Sequence, residues 1–286
     1  MQSSLEETKF ILKKYNITAN KKLGQNFLIS DEVINEIINA SEVNKTDLVI
    51  EIGPGLGTLT SKLLEKAGKV IAIELDTKML KILQDRFFLY KNFVLLNADV
   101  LKVDLNTLIA ENKGELNNVK IVANLPYYIT TPIVMKLLEE KIPVDSITVM
   151  VQKEVADRLT ALPGEKLSGA ITYTVNYYAE ASKIIFVDRN NFIPAPEVDS
   201  EVIKLKIRQE PAVNVKNEEV FFRLIKESFS HRRKTLVNGL ENSGMFKDKE
   251  QIKQLLEKMN LETNVRGENL SINQFAELSN LIAESI

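Results

Sequence analysis

The length and composition of this chain are those of an ordinary globular protein, and they exclude several kinds of site. With 286 residues, 44% of them hydrophobic and 27% charged, the chain can form one large domain and a smaller one. It contains no cysteine, which excludes disulfides, a thiol nucleophile and thiolate metal ligands. The net charge of −2 argues against a nucleic-acid partner unless the basic residues are clustered.

The N-terminal part carries the first of two basic clusters, with five lysines and no acid between Thr8 and Ser30. The second cluster is "HRRK" at 231–234. One such cluster is usually a solvated helix face, but two of them beside an aromatic-rich motif favour a polyanionic partner. The residues concerned are Lys9, Lys13, Lys14, Lys21, Lys22, Arg232, Arg233 and Lys234.

No targeting or membrane signal is evident in the sequence. The N-terminus lacks the apolar core and small-residue cleavage site of a secretory signal. No run approaches the roughly 18 apolar residues that a membrane span needs. We therefore expect a cytoplasmic protein without a membrane partner.

From Leu48 onward, short apolar runs alternate with helical patterns. The runs are rich in Val, Ile and Leu, as strands of a parallel sheet are when both faces are buried. They span 48–52, 70–74, 93–97, 120–124 and 147–152, with helical patterns such as 58–67 and 77–90 between them. This alternation predicts a doubly wound, Rossmann-like α/β sheet.

Two later strands and a helical region complete the predicted organisation. The strands at 183–187 and 201–207 are joined by a turn-rich segment, which favours an antiparallel addition at one edge. A polar linker begins at Arg208 and is followed by helical patterns at 220–240, 249–259 and 271–285. We predict a large domain of residues 1–207 and a small all-α domain of residues 208–286.

A glycine-rich turn follows the first of these strands and opens a helix. Gly53, Gly55 and Gly57 in "EIGPGLGTLT" let the backbone turn tightly and approach a ligand closely. Thr58 stands where a dinucleotide fingerprint has its third glycine, which disfavours a nicotinamide oxidoreductase. Glu51, just before the turn, would be poorly placed beside a pyrophosphate.

Two acids at the ends of the following strands indicate an adenosine ligand. Glu74 lies 21 positions after Gly53, where a carboxylate can accept both hydroxyls of a ribose. Asp99 follows the third strand and could accept the exocyclic amine of adenine, although an acid in this place is often a helix N-cap. A turn and two acids without a phosphate partner predict S-adenosylmethionine as the cofactor and no metal.

The motif "NLPYY" follows the fourth strand beside the same crevice. The side-chain oxygen of Asn124 and the Leu125 carbonyl, fixed by Pro126, could accept the N–H groups of an adenine N6 amine. Tyr127 offers a face for a flipped-out base, an interaction worth about 1–3 kcal/mol. Methylation makes this nitrogen acidic, so alignment and acceptor placement would set the rate rather than a general base.

Six segments, in order along nearly the whole chain, resemble the rRNA adenine N6,N6-dimethyltransferases. They are "KKLGQNFL", "EIGPGLGTLT", "NADVL", "NLPYYITTPI", "FIPAPEVDS" and "FSHRRKTLVNGL". The nearest resemblance is to the KsgA/RsmA type, which modifies two adjacent adenosines near the 3′ end of 16S (small-subunit) rRNA. It implies a class I methyltransferase fold, S-adenosylhomocysteine as product, a role in small-subunit biogenesis, a partly assembled 30S particle as partner, and a monomer.

The resemblance also implies which residues hold the cofactor. Asn26 and Leu28 would close over it from the N-terminal side. Gly53 would face its methionine part, Glu74 its ribose and Asp99 its adenine.

On the substrate side, the resemblance implies that Asn124 contacts both the methionine end of the cofactor and the target amine. Phe192 would contact the target base from the side opposite Tyr127. Basic residues would hold RNA phosphates while the pocket reads the base. Those proposed are Lys21, Lys22, Arg232, Arg233 and Lys234.

One segment departs from the family pattern, and two alternative functions stay open. In "PGEKLSGAITYT", Ser168 stands where family members often carry tyrosine, which concerns loop contacts with RNA rather than methyl transfer. The first alternative is the antibiotic-resistance type acting on large-subunit rRNA, which favours isoleucine where this chain has Leu125. The second is a non-catalytic ribosome-assembly or transcription factor. Four intact residues disfavour a loss of the chemistry, although an assembly role could coexist with it: Asn124, Tyr127, Glu74 and Asp99.

Overall fold

The computed structural model describes residues 3–20, 23–231 and 233–284, and the chain forms two compact units. The first unit comprises residues 1–156 and 181–207, and the second comprises residues 157–180 and 208–286. The division predicted at residue 208 differs in one segment, because residues 157–180 group with the C-terminal helices. Tyr173 and Tyr177 of that segment lie in the core of the second unit, which explains the grouping.

The first unit is built mainly from strands that alternate with helices. Its first elements are helix α1 (Ser4–Lys14), strand β1 (Phe27–Leu28) and helix α2 (Asp31–Ser41). The alternating part comprises β2 (Asp47–Ile52), α3 (Thr58–Lys66), β3 (Lys69–Glu74), α4 (Thr77–Phe87), β4 (Phe93–Asn97), α5 (Leu105–Lys113), β5 (Asn118–Asn124), α6 (Thr130–Glu139) and β6 (Ser146–Gln152). Along the chain, β6 is followed by α7 (Lys153–Thr160) and α8 (Ala170–Tyr178), whose residues from 157 onward belong to the second unit. The strands β7 (Ala179–Val187), β8 (Phe192–Ile193) and β9 (Ser200–Ile207) come next.

The main sheet has seven strands in the order β4-β3-β2-β5-β6-β9-β7. Strands β2 to β6 pair in parallel, and β9 pairs antiparallel with β6. The predicted strands are all present, and the Rossmann-like sheet with an antiparallel addition at one edge is confirmed. Every residue of β2 is buried, as expected for a central strand covered by helices on both faces.

A second, two-stranded sheet connects the N-terminal segment to the later part of the first unit. Strand β1 pairs antiparallel with β8, so that Phe27 faces Ile193 and Leu28 faces Phe192. Both residues of β1 are buried. The sequence pattern did not predict this pairing, because two-residue strands carry no periodicity.

The second unit has an aromatic core between helices. Its helices after the linker are α9 (Glu218–Ser230), α10 (Leu236–Leu240), α11 (Lys249–Lys258) and α12 (Ile272–Ala283). The rings of Tyr173 and Phe275 meet edge to face with centroids 5.0 Å apart. The Tyr173 hydroxyl donates to the Leu270 carbonyl at 2.5 Å, which satisfies the polar end of a buried side chain.

The single helix predicted over 220–240 is wrong, since the chain turns between α9 and α10. The side-chain oxygen of Thr235 accepts a hydrogen bond from the backbone N–H of Asn238 and so starts a new helix. The described residues of the second basic cluster therefore lie on a turn and not on a helix face. No helix in the described part of the chain is long and apolar enough to cross a membrane.

The packing of the glycine turn after β2 against α4 can be tested by substitution. Gly57 has φ +83°, and an added Cβ would lie 2.6 Å from Phe87 Cε2. Gly55 has φ +56°, but its added Cβ would meet nothing closer than Phe27 Cε1 at 3.5 Å. Gly57→Ala should lower the free energy of unfolding by about 2–4 kcal/mol, because steric overlap adds to backbone strain.

Gly55→Ala is the matched control, since strain alone should cost about 1–2 kcal/mol. Urea unfolding of both variants would measure the difference. Equal losses would contradict the contact between Gly57 and Phe87.

Candidate active site

A cleft lies at the edge of the sheet where β2, β3, β4 and β5 end. It is concave and partly open to solvent, as small-molecule sites commonly are. Ten predicted site residues line it: Asn26, Leu28, Gly53, Gly55, Glu74, Asp99, Asn124, Leu125, Pro126 and Tyr127. The structure therefore brings the predicted cofactor and base-binding residues to one place.

Glu74 closes one side of the cleft and is held by two backbone donors. Its Oε2 accepts from the Gly55 N–H at 3.2 Å, and its Oε1 accepts from the Asp76 N–H at 2.8 Å. Burial raises the pKa of the Glu74 carboxyl, and these two hydrogen bonds oppose the rise. The carboxylate thus bridges the glycine turn after β2 and the end of β3.

Glu51 is a second buried acid of the cleft, and sequence reasoning did not identify it as a site residue. Its side chain lies at the end of β2, is 1% exposed and contributes to the lining of the cleft. Burial raises its pKa to about 8; the Thr60 hydroxyl lowers this pKa in part, and the nearby Glu74 raises it further. Within the described ranges, Glu51 Oε2 has no hydrogen-bond partner. A buried carboxyl oxygen without a donor suits a ligand that supplies one.

The segment Leu23–Leu28 lies across the cleft and is tied to its far side. Gln25 Nε2 donates to Asp76 Oδ2 at 2.8 Å, which joins this segment to the loop after β3. Asn26 Nδ2 donates to the Gly24 carbonyl at 3.1 Å. Gln25 was not predicted as a site residue, because its partner is remote in sequence.

Asn124 is oriented by the same segment. Its Nδ2 donates to the Asn26 carbonyl at 3.4 Å, so its Oδ1 is the atom left to accept hydrogen bonds in the cleft. The following turn is fixed by two donors to the Pro126 carbonyl, the Thr130 hydroxyl at 3.1 Å and the Ile129 N–H at 3.2 Å. The Asn124 side chain at the end of β5 and the turn that follows it are therefore both held in place by hydrogen bonds.

The ring of Tyr127 is held at its hydroxyl. This hydroxyl and Ser200 Oγ are hydrogen-bonded at 2.5 Å, and Ser200 is fully buried at the start of β9. Burial raises the pKa of Tyr127, and the Ser200 hydroxyl opposes the rise. Ser200 was missed from the sequence, because a serine at a strand start carries no functional signal by itself.

Asp99 caps a turn and also lies in the lining of the cleft, so its predicted contact with adenine stays a prediction. Its Oδ1 accepts from the Leu101 N–H at 3.1 Å, which caps a turn, and the residue also lines the cleft. Lys102 Nζ lies 4.0 Å from Asp99 Oδ2 on the exposed side. The cap uses one carboxylate oxygen, Oδ1, and so restricts the orientation of the side chain.

The structure does not bring Phe192 into the cleft. Its ring is 3% exposed and packs in the hydrophobic core, because the pairing of β8 with β1 turns it inward. The predicted contact with the target base from the side opposite Tyr127 therefore has no support in this conformation.

The basic clusters are only partly described. Lys21, Lys22 and Arg232 lie outside the described residues. Arg233 and Lys234 are exposed on the turn between α9 and α10. The earlier lysines of the first cluster, Lys9, Lys13 and Lys14, are exposed on α1.

Comparison with known proteins identifies the family. The model of the Ribosomal RNA adenine dimethylase family matches residues 16–284. The chain belongs to this family. Curated members named Ribosomal RNA small subunit methyltransferase A include proteins of Bacillus pumilus, Clostridioides difficile and Clostridium botulinum. They are 47%, 48% and 49% identical to this chain, covering 98%, 98% and 96% of it and 96%, 96% and 98% of the relatives.

Two solved structures show the same fold as this chain. A dimethyladenosine transferase from Plasmodium falciparum is 28% identical and superposes with a TM-score of 0.74, over 88% of this chain and 95% of its own. The 23S rRNA methyltransferase ErmE, at 23% identity, superposes with a TM-score of 0.67 over 90% of this chain and 100% of its own. The similarity to ErmE shows only that the two proteins share a fold.

The buried Glu51 carboxyl predicts a pH dependence of stability. Its pKa rises from 4.5 to about 8 on folding, so the native dimethylase binds a proton that the unfolded chain releases between these values. The stabilisation from this proton is complete below about pH 4.5 and is lost as pH rises through about 8. Relative to Glu51→Gln, the wild-type free energy of unfolding should therefore fall by on the order of 3–5 kcal/mol across this range.

Urea unfolding of both proteins at several pH values between about 5 and 9 would measure this difference. A difference that stays constant with pH would show that Glu51 is ionised in the native protein at neutral pH.

The bond between Tyr127 and Ser200 predicts a separate kinetic effect. Ser200→Ala removes the partner that holds the ring hydroxyl, so the ring should spend less time in the position where it can stack on a base. We expect kcat to fall about 3- to 10-fold, the equivalent of one neutral hydrogen bond, with cofactor affinity unchanged. Tyr127→Phe removes the other hydroxyl of this hydrogen bond, so its kcat should fall by the same factor as that of Ser200→Ala.

Proposed function

We propose that this dimethylase transfers methyl groups from S-adenosylmethionine to N6 of adenosines in small-subunit rRNA. As the family resemblance implies, the targets would be two adjacent adenosines near the 3′ end of the 16S rRNA, with two methyl additions to each. The observation that carries the proposal is the position of Asn124 and Tyr127 at the same cleft as the glycine turn and Glu74. The names of the full-length relatives support the small-subunit substrate.

The residues of the cleft fit S-adenosylmethionine, which when bound supplies an electrophilic methyl group on a positively charged sulfur. Glu74 can accept the ribose hydroxyls, since backbone donors fix its carboxylate at the cleft. Asp99 can accept from adenine. Glu51 Oε2, which has no hydrogen-bond partner among the described residues, can accept from the ammonium of the methionine part, and this would also favour the ionised form of the carboxyl. Gly53 and Gly55 leave room for close approach of the ligand.

On the substrate side, the chain supplies acceptors and a stacking face. Asn124 Oδ1 and the Leu125 carbonyl, the latter fixed by Pro126, would accept the two N–H groups of the adenine amine and hold its nitrogen toward the cofactor. Tyr127 would stack on the extruded base. No side chain needs to remove the proton before transfer, because methylation itself makes the nitrogen acidic and water can then take the proton.

The basic residues would bind the RNA backbone. Exposed lysines on α1, together with Arg233 and Lys234, would contact phosphates of the small-subunit rRNA. Lys21, Lys22 and Arg232 would contribute to the same binding. We further propose that the substrate is a partly assembled 30S particle, that the protein acts as a monomer and that it works in the cytoplasm.

Asn124→Ala should abolish or strongly reduce methyl transfer, because it removes one of the two acceptors that align the amine. The loss should be about 10²-fold or more, as for the removal of one aligned donor or acceptor at a reacting centre. Small subunits from cells unable to make the modification would be incubated with S-adenosylmethionine and either protein. Mass spectrometry of the digested RNA would then identify the methylated nucleosides.

Large subunits are the control substrate in the same experiment. Dimethyladenosine in small-subunit RNA only, lost with Asn124→Ala, supports the proposal. Product in large-subunit RNA would assign the antibiotic-resistance type instead. Tight binding to the particle with no product from either subunit would make the protein an assembly factor.

A further inference from the structure

The buried guanidinium of Arg86 connects the cofactor turn to the N-terminal helix. Arg86 lies near the end of α4, and its side chain is 13% exposed. One of its nitrogens, Nη1, donates to the Leu56 carbonyl, in the middle of the glycine turn. The other, Nη2, donates to Glu7 Oε1 on α1 at 2.6 Å. One side chain therefore contacts two segments that are 49 positions apart, from Glu7 to Leu56.

The glycine turn is packed tightly where Arg86 reaches it. Leu56 is 1% exposed, and the following Gly57 lies against the ring of Phe87. The guanidinium carbon of Arg86 lies 5.1 Å from the centroid of the same Phe87 ring. The carbonyl that Arg86 binds thus belongs to backbone that cannot shift without disturbing the α4 side chains beneath it.

Helix α1 contributes no side chain to the cleft, yet it is fixed to the elements that form it. Ser4 Oγ donates to Asp31 Oδ1 on α2 at 2.5 Å. The Tyr15 hydroxyl donates to Asp85 Oδ2 on α4 at 3.3 Å. Glu7 of α1 binds Arg86, and Arg86 also contacts the glycine turn. The Glu7 carboxylate offsets a charge that burial would otherwise make costly.

We propose that Arg86 is a positioning residue of the cofactor site and that its ion pair with Glu7 makes helix α1 part of that site. The inference rests on the proposed function, because it takes the glycine turn to hold the methionine part of S-adenosylmethionine. Without Glu7, the buried guanidinium loses its counter-charge and must turn toward water. The Leu56 carbonyl then loses its donor, and the turn loses the constraint that holds its shape for the ligand.

Cofactor binding gives the first test. Isothermal titration with S-adenosylhomocysteine would compare the full-length wild type with Glu7→Gln, Arg86→Lys and Arg86→Met. Arg86→Lys keeps the charge but cannot span both acceptors, so its affinity should fall about 10-fold, as should that of Glu7→Gln. Arg86→Met should lose about 10- to 100-fold. Thermal unfolding would establish that each variant is folded, and Glu7→Gln carries the test if Arg86→Met is not.

Tyr15→Phe is the matched control, because it breaks the hydrogen bond from the residue that caps the end of α1 to Asp85 of α4 and does not touch the glycine turn. Its affinity for S-adenosylhomocysteine should equal that of the wild type. Affinities for Glu7→Gln and Arg86→Lys within twofold of the wild type would overturn the proposal. An equal loss in Tyr15→Phe would also overturn it, since the effect would then reflect general loosening of α1.

Hydrogen exchange gives a readout that a purely structural role of Arg86 would not change. S-adenosylhomocysteine should slow exchange of the α1 amides in the wild type, and this protection should disappear in Glu7→Gln at saturating ligand. Ligand-independent exchange in α1 of the wild type would overturn the proposal. Failure of the wild type to bind S-adenosylhomocysteine at all would instead contradict the proposed function, so the two failures are distinguishable.

Discussion

The register of the parallel strands β2, β3 and β5 is the constraint on which the site depends. Val49 pairs with Val70 on one side and with Lys120 on the other, so the three strands end at the same edge of the sheet. Glu74 and Asn124 are each the last residue of their strand. A slip of one residue in either pairing would turn the corresponding side chain to the opposite face of the sheet. Burial of β2 on both faces makes such a slip costly, since it would move apolar side chains out of tight packing.

The electrostatics of the cleft follow from this arrangement. Two acids, Glu51 and Glu74, are buried close enough for the charge of one to raise the pKa of the other. Backbone donors compensate Glu74, whereas one oxygen of Glu51 has no donor among the described residues. A site built in this way favours a cationic ligand over an anionic one, because a positive charge relieves the repulsion that burial strengthens. This preference is consistent with a sulfonium cofactor and inconsistent with a dinucleotide pyrophosphate.

Residues that are remote in sequence set the geometry of the residues that would carry the chemistry. Ser200 holds the hydroxyl of Tyr127, and Gln25 joins the N-terminal segment to the loop after β3. Arg86 reaches the glycine turn from α4. Each supporting residue is polar and contributes one or two hydrogen bonds in a largely buried place, where such bonds have a strong preference for one geometry. The family motifs name the residues at the cleft, and the fold supplies the side chains that position them.

The sequence by itself determined the sheet, and it predicted the cofactor class and ten of the residues that line the cleft. Continuous apolar runs identify strands buried on both faces, and a glycine turn with acids at strand ends describes an adenosine site, because both signals are local. Local signals failed where the outcome depends on pairing or packing. Phe192 lies in the core because β8 pairs with β1, the segment 157–180 joins the second unit because its tyrosines pack there, and the helix expected over 220–240 is divided by the Thr235 cap. The tertiary structure alone decided the burial and the partners of Glu51, Ser200 and Arg86, because both depend on segments that are distant in sequence.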